Sequence, residues 1–327
     1  MNAAAAVQSQ EDALAQVIFG YASDRQDRLD RENIKLAHYT TAETALQILT
    51  GRKLWMRNAT VMNDHSEIQH GHEIVGAALA GEPGARLRDI LAGISTELLD
   101  AGWPRLTPLS EDQKCRIFMC SLSEHQADDT LGRLSMWRAY GGSIAGVALI
   151  FNSEVIENPN LHLSTAASPV LYGGYAELAH EFDNLSSRLE QNASLLRSVD
   201  PLLAGTMLGS AIHYAYMSIK HIGFQEELEW RLIHCPLDSG GSAHVRDHVA
   251  SIRGVPQLLY ELPLANIHQG MNFPNFDLNS LLHRIIIGPS LYPGTVRRAF
   301  VEQLRELGVV EAEAKVVVSE TPLRQWG

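Results

Sequence analysis

Cysteine is scarce in this chain. Cys115, Cys120 and Cys235 are the only three in 327 residues, an odd number with no CxxC pair. A disulfide framework and a zinc knuckle are therefore excluded as organisers of the fold. The thiols are expected to act as small buried hydrophobes in a reducing compartment. Basic charge is also short, with 26 Lys and Arg against 38 Asp and Glu, a net charge of −12 and a pI near 5.6. No broad nucleic-acid surface is expected from that balance, although a cleft for one phosphorylated small molecule is compatible with it. Long apolar runs are missing as well: residues 146–151 (GVALIF) make up a strand-sized run, far short of a membrane span. The alanine-rich start soon meets Glu11 and Asp12 and lacks the basic opening and apolar core of a signal peptide. The expected location is cytoplasmic, with no membrane partner.

What is present is a globular composition, 45% hydrophobic and 20% charged, with Gly and Pro at ordinary levels. Residues 1–33 read as a helical lead-in, with Leu14, Val17, Ile18 and Tyr21 at helical spacing. A short strand over 34–39 runs into Thr40 and Thr41, either of which can cap a helix whose apolar face is Ala45, Leu46, Ile48 and Leu49, with Gly51 as its stop. Further strands are predicted at 54–57, 116–121, 146–151, 170–172, 227–234, 258–264, 284–288 and 316–319. A helix or turn is predicted over 136–140, and helices over 73–100, 176–221 and 294–307, the second of these interrupted at Asp200-Pro201. Strands scattered among helices of uneven length predict an α+β fold, with a mixed, mostly antiparallel sheet and flanking helices. One domain over 34–327 is expected, carrying helical insertions at about 74–114 and 176–219.

Four segments have the residues for chemistry. Residues 58–73 (NATVMNDHSEIQHGHE) hold three histidines and several acids, which invites a metal reading based on Asp64, His65, Glu67 and His70. His65, His70 and His72 lack the i, i+4 spacing of a zinc helix, and a capped helix start explains the same letters, so no metal ligand is assigned. Asn63 and Asp64 suit either a tight turn or a ligand hydroxyl. In residues 135–142 (SMWRAYGG), Trp137, Arg138 and Tyr140 offer a flat aromatic surface beside a guanidinium, suited to a ring and a phosphate on one ligand. A core Trp137 and an Arg138 paired with an acid account for them equally well.

The third segment is residues 220–231 (KHIGFQEELEWR). A strand over 227–231 places Glu227, Glu229 and Arg231 on one face and Leu228 and Trp230 on the other. Two carboxylates and a guanidinium backed by apolar side chains are costly unless they line a cleft. A water-exposed sheet face is the simpler account. The fourth segment is His38-Tyr39-Thr40, at a strand-to-helix junction where ligands commonly meet side chains.

Taken in order, LAHYTT (36–41), LW…N…MND (54–64), SMWRAYGG…GVALIF (135–151), VLY (170–172), F..E.EWR (224–231), IIIGP (285–289) and VSETPLR (318–324) resemble the bacterial family of domain of unknown function 2971. A second resemblance is to ADP-ribosyltransferases of the His-Tyr-Glu type, through a strand-borne His followed by Tyr-Thr and a late strand bearing Glu-x-Glu. It implies an ADP-ribosyltransferase-like fold and NAD as substrate. Glu229 would then stabilise the oxocarbenium-like charge that develops as the nicotinamide–ribose bond breaks, assisted by Glu227. It further implies that His38 positions a ribose, Trp137 or Tyr140 stacks on the nicotinamide, and Arg138 or Arg231 meets the pyrophosphate. Tyr39, Thr40, Asn63 and Asp64 would complete the binding surface. The middle motif of that superfamily, a Ser or Tyr on a strand, has three competing candidates here: Ser121, Ser123 and Tyr140. The function expected is an NAD-consuming transferase or glycohydrolase, in the role of a toxin or defence effector. The alternatives are a metal-dependent hydrolase or nuclease and a non-enzymatic ligand-sensing module.

Overall fold

A computed structural model describes residues 3–61, 65–107, 109–142, 145–157, 165–236, 245–252, 254–265 and 276–322. The chain divides into two compact units. The first comprises Met1–Asp27, Ala59–Cys115 and Ser168–Glu226, which gathers most of the lead-in and both expected insertions. The second comprises Arg28–Asn58, Arg116–Ala167 and Glu227–Gly327.

The strands in chain order are β1 (Lys35–Thr41), β2 (Lys53–Asn58), β3 (Phe118–His125), β4 (Ala145–Phe151) and β5 (Thr165–Pro169), followed by the short β6 (Leu171–Tyr172) and β7 (Ile219–Lys220). After them come β8 (Glu229–His234), β9 (Arg246–Ile252), β10 (Val255–Pro263), β11 (Leu282–Ser290) and β12 (Val316–Val318). All but β6 and β7 join one mostly antiparallel sheet in the order β12-β11-β4-β1-β3-β2-β10-β9, with β8 on β3 and β5 on β8. Flanking helices complete a mixed α+β architecture.

β4 is an interior strand between β11 and β1, every residue from Gly146 to Phe151 is buried, and both faces of the strand are apolar. Val147, Leu149 and Phe151 enter the large core with Leu36, Cys120, Leu122, Trp230 and Ile285. Ala148 and Ile150 turn to the opposite face, against Ala37, Tyr39, Met136, Trp137 and Ile286. Alternation along an extended chain produces this split, since successive side chains point to opposite faces.

Of the two capping candidates, Thr41 caps the helix Ala42–Gly51, its hydroxyl accepting from the Thr44 amide at 3.2 Å. The helix ends at Gly51 as expected, and its left-handed cap is Arg52, with φ 50°. The expected helix over 73–100 is three helices, His65–Ala80, Glu82–Ile94 and Thr96–Gly102. Pro83 starts the second, and the Ser95 side chain caps the third. β9 was not anticipated.

In the first unit, Asp200 and Pro201 open the helix Pro201–Met217 as expected, with the Asp200 carboxylate accepting from the Leu202 amide at 2.9 Å. That helix meets Thr96–Gly102 at Gly205, where a Cβ would lie 2.7 Å from the Ala101 carbonyl carbon. The Arg188 guanidinium donates to the Val17 carbonyl at 3.1 Å and ties the lead-in helix Ala3–Ile18 to Tyr175–Gln191. Among the described residues, no helix is long and apolar enough to cross a membrane.

Candidate functional site

β3 joins the early and late segments. On one edge it pairs with β1 through Lys35↔His125, Leu36↔Glu124 and Ala37↔Ser123. It also pairs with β2, through Arg57↔Met119 and Asn58↔Phe118. Neither pairing reaches Ser121, so β1 and β2 part there. His38 fills the gap. Its Nδ1 lies 3.0 Å from the Ser121 carbonyl and 3.7 Å from the Cys120 sulfur. A carbonyl only accepts, so the proton sits on Nδ1 and the neutral ring offers Nε2 as an acceptor. Burial holds the His38 pKa below its ordinary value, and the Ser121 carbonyl opposes that shift.

β8 pairs with β3 through Phe118↔His234 up to Ser123↔Glu229. Glu229 is 5% exposed and Arg231 is 1% exposed. Arg231 Nε donates to one Glu229 oxygen at 3.0 Å and a terminal nitrogen donates to the other at 3.2 Å. Such a fork fixes both planes at once. Ser121 stands opposite Arg231, and its buried hydroxyl has no hydrogen-bond partner among the described residues. Cys120 is buried beside the site. Desolvation and the Glu229 charge push its thiol up to about 12.

The expected common face of Glu227, Glu229 and Arg231 is corrected for Glu227. That residue ends a 3-10 turn, Ile222–Glu227, and β8 begins at Glu229. Between them Leu228 has φ 44°, a left-handed conformation that breaks the alternation. Leu228 is accordingly 41% exposed instead of joining the buried Trp230.

Tyr39 is core. Its ring meets Trp137 edge-on at 4.9 Å, and its hydroxyl accepts from the Arg133 amide at 3.0 Å. Thr40 is half-buried on the same strand as His38. Trp137 is 2% exposed and donates its indole N–H to the Leu131 carbonyl at 2.9 Å, which is the core alternative for this residue. Gly288 lets the sheet approach that indole, since a Cβ there would lie 2.7 Å from a ring carbon. Arg138 is exposed and makes no ion pair with a described residue, while Tyr140 is half-buried at the end of the same helix, Leu134–Tyr140.

Asn63 and Asp64 lie outside the described residues, as do the side chains of His65 and Glu67. Among the described residues no group of three His, Cys, Asp or Glu is placed to hold a metal ion.

One further residue borders the site and was not singled out as functional in the sequence. Arg133 reaches the carbonyls of Glu124 and Glu227. An arginine held by main-chain carbonyls has no sequence signature, because its partners are set by the fold.

A family model described as Protein of unknown function (DUF2971) matches residues 136–232. That stretch holds Trp137, Arg138, Tyr140, Glu227, Glu229 and Arg231 but not His38. It supports the resemblance to that family. No curated protein and no solved structure matches the chain.

Proposed function

We propose that the second unit is an NAD-consuming, ADP-ribosyltransferase-like enzyme, a transferase or a glycohydrolase, with its site built across β1, β3 and β8. One observation carries the reading. β3 takes the strand of His38 on one edge and the strand of Glu229, from a segment almost 200 residues away, on the other. By register the two side chains leave opposite faces of the sheet, and the His38 ring reaches the Ser121 carbonyl at the gap where β1 and β2 part. In the proposed reaction the C–N bond between nicotinamide and ribose breaks, and its electron pair leaves with the nicotinamide nitrogen. Glu229 stabilises the positive charge left on the ribose, and water or another acceptor attacks the anomeric carbon and loses a proton. His38 Nε2 accepts a ribose hydroxyl. Ser121 is the preferred middle residue, because its side chain shares the face of Glu229 and Arg231, its carbonyl meets the His38 ring, and its hydroxyl is uncommitted among the described residues. Arg231 is committed to Glu229, which leaves Arg138 to meet the pyrophosphate, and Tyr140 is the aromatic left to face the nicotinamide.

The test is to incubate the purified protein with NAD and follow nicotinamide by NMR, beside Glu229→Gln and His38→Ala. The expected result is release by the native protein and loss of release in Glu229→Gln. No nicotinamide with any acceptor, together with no thermal shift on adding NAD, sinks the reading. A second reading, a ligand-binding module without turnover, is favoured by the fork itself, which satisfies both Glu229 oxygens in a buried setting. It predicts a thermal shift with a nucleotide and no nicotinamide.

A further inference from the structure

The geometry points to Arg133 as a positioning residue that fixes the entry of β8 and thereby the placement of Glu229; the consequence for turnover rests on the NAD reading above, but the placement does not. The β3–β8 ladder is regular from His234 back to Glu229 and then meets Leu228 in the left-handed region, at φ 44°. A leucine held there is strained and persists only where its surroundings over-determine it. Two sets of bonds do so. The Glu124 amide donates to the Leu228 carbonyl at 3.0 Å, the last rung of the ladder. Beyond it the Arg133 guanidinium takes over the role of a strand: one terminal nitrogen donates to the Glu227 carbonyl at 2.8 Å and the other to the Glu124 carbonyl.

Arg133 is itself anchored. Its amide donates to the Tyr39 hydroxyl, one residue from His38, and it occupies the N-cap of the helix Leu134–Tyr140. One residue therefore joins the strand of His38, the end of β3 and the turn that delivers Glu229. A lysine has one compact ammonium and cannot bridge two carbonyls in the plane of a fork. Glu229 and Arg231 share a face by the period of the strand, and because Glu229 is the first residue of β8, the turn at Leu228 determines how firmly it is held there.

The experiment reads the Arg231 Nε–H resonance by 15N NMR, with steady-state nicotinamide release measured alongside. In Arg133→Gln and Arg133→Lys, exchange of the Arg231 Nε–H with solvent is expected to rise about ten-fold or more. The kcat for nicotinamide release is expected to fall by about ten- to a hundred-fold at a KM within about two-fold, the pattern of a misplaced group. Leu228→Val, β-branched at a positive φ, should reproduce the change, whereas Leu228→Gly should keep the Arg231 signal. An Arg231 signal in the Arg133 and Leu228→Val variants that superimposes on the native one overturns the proposal, whatever their melting temperatures. Should Arg133→Gln fail to fold, Leu228→Val decides by the same signal. A native protein that releases no nicotinamide counts against the NAD reading alone, since the Arg231 resonance then still decides the positioning role.

Discussion

Arg231 and Glu229, two residues apart on β8, meet in a bidentate pair at 3.0 and 3.2 Å with almost no exposure to solvent. Two residues is the period of a strand, so both side chains leave the same face, and Trp230 between them enters the core. Removing one member of a buried pair strands the other charge in a poor solvent. Arg231→Met is therefore expected to cost about 3–5 kcal/mol in urea unfolding. The double variant Arg231→Met with Glu229→Gln should recover much of that loss, because neither charge of the pair remains. A single-variant cost below about 1 kcal/mol, a value typical of exposed pairs, excludes the fork as the element that holds Glu229.

Acid should destabilise the protein from near neutrality. Burial, as the largest cause, depresses the imidazoles of His38, His125 and His283 below their ordinary value of 6.5. The unfolded chain therefore binds more protons than the folded one as pH falls, and the stability these groups contribute is present above 6.5. It is lost progressively as pH drops through 6.5 towards the depressed folded values. Melting temperatures measured from about pH 8 to pH 5 should fall in that window, and His38→Gln should flatten part of the slope. A flat profile across the window contradicts the burial of all three rings.

Local chemistry made much of the fold legible, and long-range geometry hid the rest. Asp200-Pro201 and the continuous apolar run of residues 146–151 need only their neighbours to act, and both appear where the sequence places them. β9, by contrast, is an edge strand with mostly exposed side chains, and it exists through its pairing with β10. The site divides in the same way. Alternation correctly separates Trp230 from Glu229 and Arg231, but it cannot foresee a left-handed Leu228, which removes Glu227 from their face. Ser121 could not be preferred over Ser123 or Tyr140 until the parting of β1 and β2 was visible. Trp137 illustrates a further limit, since an indole reads identically whether it stacks on a ligand or fills a core.

The cysteines offer a chemical test of the site's enclosure. Only a thiolate reacts readily, and the Cys120 thiol is buried and pushed up to about 12, whereas Cys115 is exposed. Alkylation under native conditions followed by peptide mass spectrometry should label Cys115 and leave Cys120 unmodified until denaturant is added. Rapid labelling of Cys120 in the folded protein means that the region beside His38 is open to solvent.

Gly288 tests the core placement of Trp137. A methyl group there would lie 2.7 Å from one ring carbon and 2.9 Å from another, inside van der Waals contact. The indole has little room to retreat, because it is 2% exposed, meets Tyr39 edge-on and is tied by its N–H to the Leu131 carbonyl. Gly288→Ala should therefore cost about 1–3 kcal/mol through overpacking, read from urea unfolding with intrinsic tryptophan fluorescence. Gly294→Ala is the matched control, since nothing lies within 4 Å of its added methyl and the residue belongs to the helix Pro293–Glu306. That variant should be neutral or slightly stabilising, because alanine is the better helix former. Equal stability of the two variants means that the indole is not packed against β11, and it returns Trp137 to the residues that can face a ligand.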